Sequence, residues 1–153
     1  MPSRDPLDAI RSFLVAINGT EASDNALAVV CAIAHRSRAS VALLHVIEVP
    51  RSLPLDAELQ FELERGETIM GNAEVLAAQH DVKVEGQILQ ARNAGAAVVE
   101  EAAALGTDAV VLGLDYHRPL GRFELGQVPQ YVLENARCQV WLMRYPPEGP
   151  ARG

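Results

Sequence analysis

Cysteine, positive charge and long apolar runs are all scarce in this 153-residue chain, and each shortage removes a class of protein. The two cysteines, Cys31 and Cys138, have neither metal-binding nor redox spacing, so they are expected to be buried thiols in a reducing cytoplasm. Thirteen basic residues stand against 20 acidic ones, a formal charge of −7. That balance argues against nucleic acid or an anionic membrane as partner, because both need a basic face. The longest apolar run, 26–34, is too short to span a bilayer, and the opening Met-Pro-Ser-Arg-Asp-Pro has no apolar signal core. Both features lead us to expect a cytoplasmic protein that is not exported. There is no Gly-Lys-Ser/Thr phosphate loop and no carboxylate pair suited to hold a metal.

What remains is 49% apolar, enough for one domain with a core that needs no staples. Residues 13–17 form an apolar strand ending at the Asn18-Gly19 turn, after which Ser23 is placed to cap a helix that stops near Ser37. Residues 41–46 read as a second strand. Beyond Pro50 and Pro54, Leu59, Leu63, Gly66, Met70, Ala73 and Ala77 recur at helical spacing. Residues 83–89 alternate as a strand, and Asn93 caps a helix that turns Val98, Val99, Ala102 and Leu105 inward before Gly106. A strand at 109–112, a helix at 128–135 and a last strand at 140–143 complete the pattern. The predicted organisation is a flexible segment over 1–11, one domain over 12–145 and a disordered tail over 146–153.

Strands that are apolar throughout, separated by amphipathic helices, predict an α/β fold: a single-domain open sheet of five parallel strands with helices on both faces and right-handed crossovers. Ligands in such sheets sit beyond the carboxyl ends of the strands, where the winding reverses. This points to Ala16, Ile17 and Asn18, to His45 and Val46, and to the long connection 112–128, Leu-Gly-Leu-Asp-Tyr-His-Arg-Pro-Leu-Gly-Arg-Phe-Glu-Leu-Gly-Gln-Val. In that connection Gly113 allows close backbone approach to a ligand. Gly126 opens a helix whose first N–H groups are unpaired, and Arg118 and Arg122 lie between the two glycines. In an acidic chain this is a local positive site suited to an anion.

The strand and turn Val-Ala-Ile-Asn-Gly-Thr-Glu-Ala-Ser at 15–23, Leu-Leu-His-Val-Ile at 43–47, Leu-Gly-Thr-Asp-Ala-Val-Val-Leu-Gly at 105–113 and Tyr-Val-Leu-Glu-Asn-Ala-Arg-Cys-Gln-Val at 131–140 together resemble the universal stress protein family. The resemblance runs from about Phe13 to Arg144. It implies a Rossmann-like strand order 3-2-1-4-5, a regulatory role in stress responses, and an adenine nucleotide, ATP or AMP, bound at the strand ends. It also implies base recognition through the backbone of Ile17 and Val46, and a homodimer formed through the last strand. Val140, Trp141 and Leu142 would otherwise leave an apolar edge exposed.

Nucleotide-binding members carry glycine, two residues, glycine, nine residues, glycine, then serine or threonine. Gly113 and Gly126 match. Tyr116 stands at the middle glycine, Gln127 at the small hydroxyl, and Asn18 where an aspartate usually faces the nucleoside. A non-glycine residue in left-handed backbone at 116 would cost about 1–2 kcal/mol. Loss of one hydroxyl–phosphate bond would cost roughly another 1–3 kcal/mol. Together these would weaken binding by about 30-fold to several thousandfold. The Gln127 amide, the Val128 N–H, both arginines and a ribose-packing Tyr116 can offset this.

Other readings of the same residues remain open. Arg118 and Arg122 can be solvated charges or partners for Asp115 and Glu124, and Tyr116 can fill the space a ligand would take. His45 is expected to be a satisfied core histidine. An interaction protein whose pocket Tyr116 and Gln127 have closed is the alternative to nucleotide binding. Catalysis is not expected, since nothing fixes Asp115 and His117 around a water.

Overall fold

In a computed structural model, which describes residues 5–116, 118 and 120–146, the chain alternates strand and helix throughout. The strands are β1 (Ser12–Ala16), β2 (Ser40–Glu48), β3 (Val84–Ala91), β4 (Ala109–Leu114) and β5 (Gln139–Arg144). The helices are α1 (Glu21–Ser37), α2 (Gln60–Gln79), α3 (Ala94–Leu105) and α4 (Gln127–Asn135). β1, β2, β4 and β5 carry short apolar runs, which favour burial on both faces over a one-sided sheet, whereas the edge strand β3 alternates and is partly exposed.

The five strands form one parallel sheet in the order β3-β2-β1-β4-β5. Alternation splits the core into two layers. On one face Phe13, Val15, Val41, Leu43, Ala109 and Val111 pack with Ala26, Leu27, Val30 and Cys31 of α1 and Met70, Ala73 and Ala77 of α2. On the other, Leu14, Leu44, Val110 and Leu112 meet Val98 and Ala102 of α3 and Val132 of α4. Burial pushes the Cys31 thiol up to about 11, so it stays protonated and inert at neutral pH. At the base of the sheet Asp108 ties β1 to β4, its Oδ2 accepting from Arg11 N–H at 2.8 Å.

Several local expectations are corrected by contacts that the sequence does not display. Thr20, not Ser23, is the N-cap of α1: its hydroxyl oxygen accepts from Ser23 N–H at 3.2 Å, and Ser23 lies inside the first turn. Leu63 and Leu105, expected inward, are exposed. The segment read as flexible over 1–11 carries a 3-10 turn, Pro6–Ala9, capped by Asp5, and Ile10 is buried in the core. Residues 1–4, and 147–153 of the expected tail, lie outside the described residues. Among the described residues no helix is long and apolar enough to cross a membrane.

Candidate functional site

The chain winds from β1 outward to β3 and then returns to place β4 on the other side of β1. Connections therefore leave the carboxyl ends of β1 and β4 in opposite directions and open a crevice between them. Ala16, Ile17, Asn18, Leu44, His45, Val46, Leu112, Gly113 and Leu114 form its sheet side, and Ala94, Val98, Val128 and Pro129 close it from α3 and α4. The cavity measures about 150 Å³. That is about half the lower end of the usual range for small-molecule sites, so it takes a ring system and leaves the rest of a larger ligand on the rim.

The β1 end is built by a closed set of hydrogen bonds. Asn18 Oδ1 accepts from Thr20 N–H at 3.0 Å and from Thr20 Oγ1–H at 2.7 Å. The Ser23 hydroxyl oxygen accepts from Asn18 N–H at 3.2 Å. Ile17 N–H donates to the Leu44 carbonyl at 2.9 Å, and the Ile17 carbonyl is 2.9 Å from Nδ1 of the buried His45. His45 is thus a satisfied core histidine that holds the turn, with its ring against Gly66 of α2. Since Leu44 turns its carbonyl toward β1, the two-residue alternation directs the N–H and C=O of Val46 to the same edge, past the last residue of β1.

Two side chains from the β3 end pin the loop after β2. Arg92 Nη1 donates to the carbonyls of Pro50 at 2.6 Å and Leu53 at 2.8 Å, and Gln90 Nε2 to those of Leu55 at 2.9 Å and Ala57 at 3.0 Å. Glu48 accepts from Ala94 N–H at 2.8 Å, so the start of α3 already holds a carboxylate. Arg92→Ala is expected to lower stability by about 1–2 kcal/mol. Amide hydrogen exchange should rise across 50–57, with α3 protection unchanged.

Gly113 is indispensable for a reason other than the expected ligand approach. A Cβ there would run into the Ala22 carbonyl oxygen and lie 2.9 Å from Ser23 N, so the bare backbone is what lets α1 start against β4. Gly126, at φ +90, is the N-cap of α4 and offers no side-chain cap. Gln127 and Val128 therefore present free N–H groups at the helix start, while Pro129 has none.

The long loop carries its arginines outside the cavity. Tyr116 stacks on Phe123 with ring centroids 5.6 Å apart, and Arg144 at the end of β5 lies over both rings, 5.0 Å and 5.7 Å from their centroids. The Arg118 guanidinium lies 5.8 Å from the Tyr116 centroid and donates to the Gly121 carbonyl. Arg122 is exposed, with no hydrogen bond or ion pair among the described residues. His117 and Pro119 lie outside those residues.

The sequence profile of the universal stress protein family matches residues 9–144. The chain belongs to that family. A universal stress protein of Methanocaldococcus jannaschii is 27% identical over 142 residues, covering 89% of this chain and 83% of that one. Among solved structures, the universal stress protein of Archaeoglobus fulgidus in complex with dAMP superposes with a TM-score of 0.69 at 14% identity, covering 86% of this chain and 95% of its own. A family protein of Arabidopsis thaliana with AMP bound gives 0.64 at 18% identity, covering 92% and 97%.

In this universal stress protein Ala16, Ile17, Asn18, Val46, Gly113 and Val128 are brought together on the cavity, whereas Tyr116, Arg118, Arg122, Gly126 and Gln127 do not line it. Sequence reasoning missed Ala94, Val98 and Pro129. Their only signal is helix register relative to a sheet whose neighbours are far apart in the chain. It also missed Arg144, which reads in sequence as the charged end of an apolar strand. Among the described residues no three His, Cys, Asp or Glu are grouped to hold a metal ion.

Proposed function

We propose that this protein is a dimeric regulatory module of the cytoplasm that binds an adenine nucleotide, AMP or ATP, and reports its occupancy in a stress response without chemistry of its own. The observation that carries this reading is a ring-sized apolar cavity at the switch point of the sheet, bordered by an uncapped helix start. The base enters between Val46 and Val98, with the backbone edge of Val46 as its polar partner. The sugar lies above β1, and the phosphate reaches the N–H groups of Gln127 and Val128. Two N–H donors suit a single phosphate group. The nucleotides bound by the A. fulgidus and A. thaliana proteins support the ligand class.

The alternative, a pocket closed by Tyr116 and Gln127, is disfavoured by the placement of both side chains off the cavity wall. Titration calorimetry with AMP and ATP tests the reading, and absence of heat at millimolar ligand would overturn it. Arg122→Ala is expected to weaken the tighter of the two ligands about tenfold, a typical loss for one charge-assisted contact. The thermal midpoint should not move, because Arg122 makes no hydrogen bond or ion pair among the described residues.

The dimer forms through β5, an edge strand whose Val140, Trp141 and Leu142 are half-buried in the single chain.

A further inference from the structure

The ring of hydrogen bonds at the β1 end fixes which way the Asn18 amide points. Thr20 N–H can only donate, so the atom 3.0 Å from it is the amide oxygen, and the Thr20 hydroxyl uses the same oxygen at 2.7 Å. With Oδ1 held inside the turn, the Nδ2 amine is the group Asn18 offers on the cavity side. It makes no hydrogen bond among the described residues. The cavity wall contains no carboxylate among the described residues, and Glu48 beside it is turned onto the Ala94 N–H. The polar side-chain group facing the middle of the site is therefore a donor.

The sheet order gives that donor a position. Asn18 follows β1, between the end of β2 and the end of β4 with the start of α4. In the proposed binding mode, with the base at the β2 end and the 5′-phosphate at the start of α4, it would face the ribose hydroxyls. A free diol can only accept a hydrogen bond from this amide N–H. An anionic oxygen there takes a charge-assisted one, about twice as strong, while a carboxylate in the same place would repel it.

We infer that Asn18 is a specificity-determining residue that admits nucleotides carrying a phosphate ester on a ribose hydroxyl, in addition to the 5′-phosphate. This inference rests on the nucleotide reading above. The site then distinguishes sugar-phosphorylated adenine nucleotides from those with a free diol by the sign of one side-chain dipole on its rim.

Asn18→Asp tests it with little change in shape, because one carboxylate oxygen keeps both Thr20 bonds and the other replaces the amine. Calorimetry is run on the full chain with AMP and with adenosine 3′,5′-bisphosphate. The wild type should bind the bisphosphate at least as tightly as AMP. The variant should lose about tenfold or more for the bisphosphate relative to its change for AMP. Equal effects on both ligands, or none on either, would overturn the role of Asn18 and leave nucleotide binding standing. Absence of heat from both ligands in the wild type would overturn the nucleotide reading and this inference with it. An Asn18→Ala variant, checked for unchanged circular dichroism, should lose the bisphosphate preference without gaining repulsion, and a retained preference would also overturn the proposal.

Discussion

Gly113→Ala is expected to destabilise the protein by about 2–3 kcal/mol, and Gly113→Val by more, read as a lower midpoint in urea. The added carbon meets backbone rather than a mobile side-chain tip: the Ala22 carbonyl oxygen and Ser23 N, at 2.9 Å, both in the first turn of α1. That turn cannot retreat alone, because Ser23 is bonded to Asn18 and Thr20. Relief of the clash therefore moves the β1 turn, and any nucleotide affinity should fall along with stability. An unchanged midpoint for Gly113→Val would show that the approach of α1 to β4 is not a constraint.

The second large effect concerns association. Gln139 N–H donates to Asp108 and Tyr145 N–H to Leu114, so odd-numbered residues of β5 turn their backbone toward β4. Val140 and Leu142 then direct theirs to the open edge. Val140→Lys combined with Leu142→Lys is expected to convert the protein from dimer to monomer, halving the mass measured by light scattering. Both side chains also pack on the α3–α4 face of the core, so the lysines carry a folding cost. Leu142→Pro separates the two effects. It removes one outward N–H while sparing the bonds to β4, and proline is tolerated at an edge in that orientation. A folded Leu142→Pro variant that keeps the dimer mass would exclude β5 as the interface.

β1, β2, β4 and β5 were legible because each carries a short apolar run, β3 because its residues alternate, and the α3 cap because Asn93 stands one residue before the pattern changes. The N-cap of α1 was misassigned among Thr20 and Ser23. Both residue types cap helices, and which of them does so depends on where Asn18 leaves β1. Gly113 was singled out for ligand approach, and the backbone it makes room for belongs to α1, ninety positions away in the sequence, which no local pattern carries. The loop glycines and arginines suggested an anion site. They did not reveal that Tyr116 turns to Phe123 and Arg144, since a stack across three chain segments is a tertiary outcome. Nor does the sequence disclose the side of Asn18 that faces outward, which is fixed by the two donors of Thr20.

The hydrogen bonds between Ser12 and Asp108 join residues 96 positions apart, and they sit on the strand at the middle of the sheet. During synthesis on the ribosome, β1, β2 and β3 emerge first and can pair in turn, leaving one flank of β1 bare until Ala109–Leu114 has been made. The innermost strand is thus the first translated, yet it is enclosed later than its neighbour β2. The nascent chain spends that interval with an apolar edge open, the stage at which holding chaperones matter most to a protein of this topology.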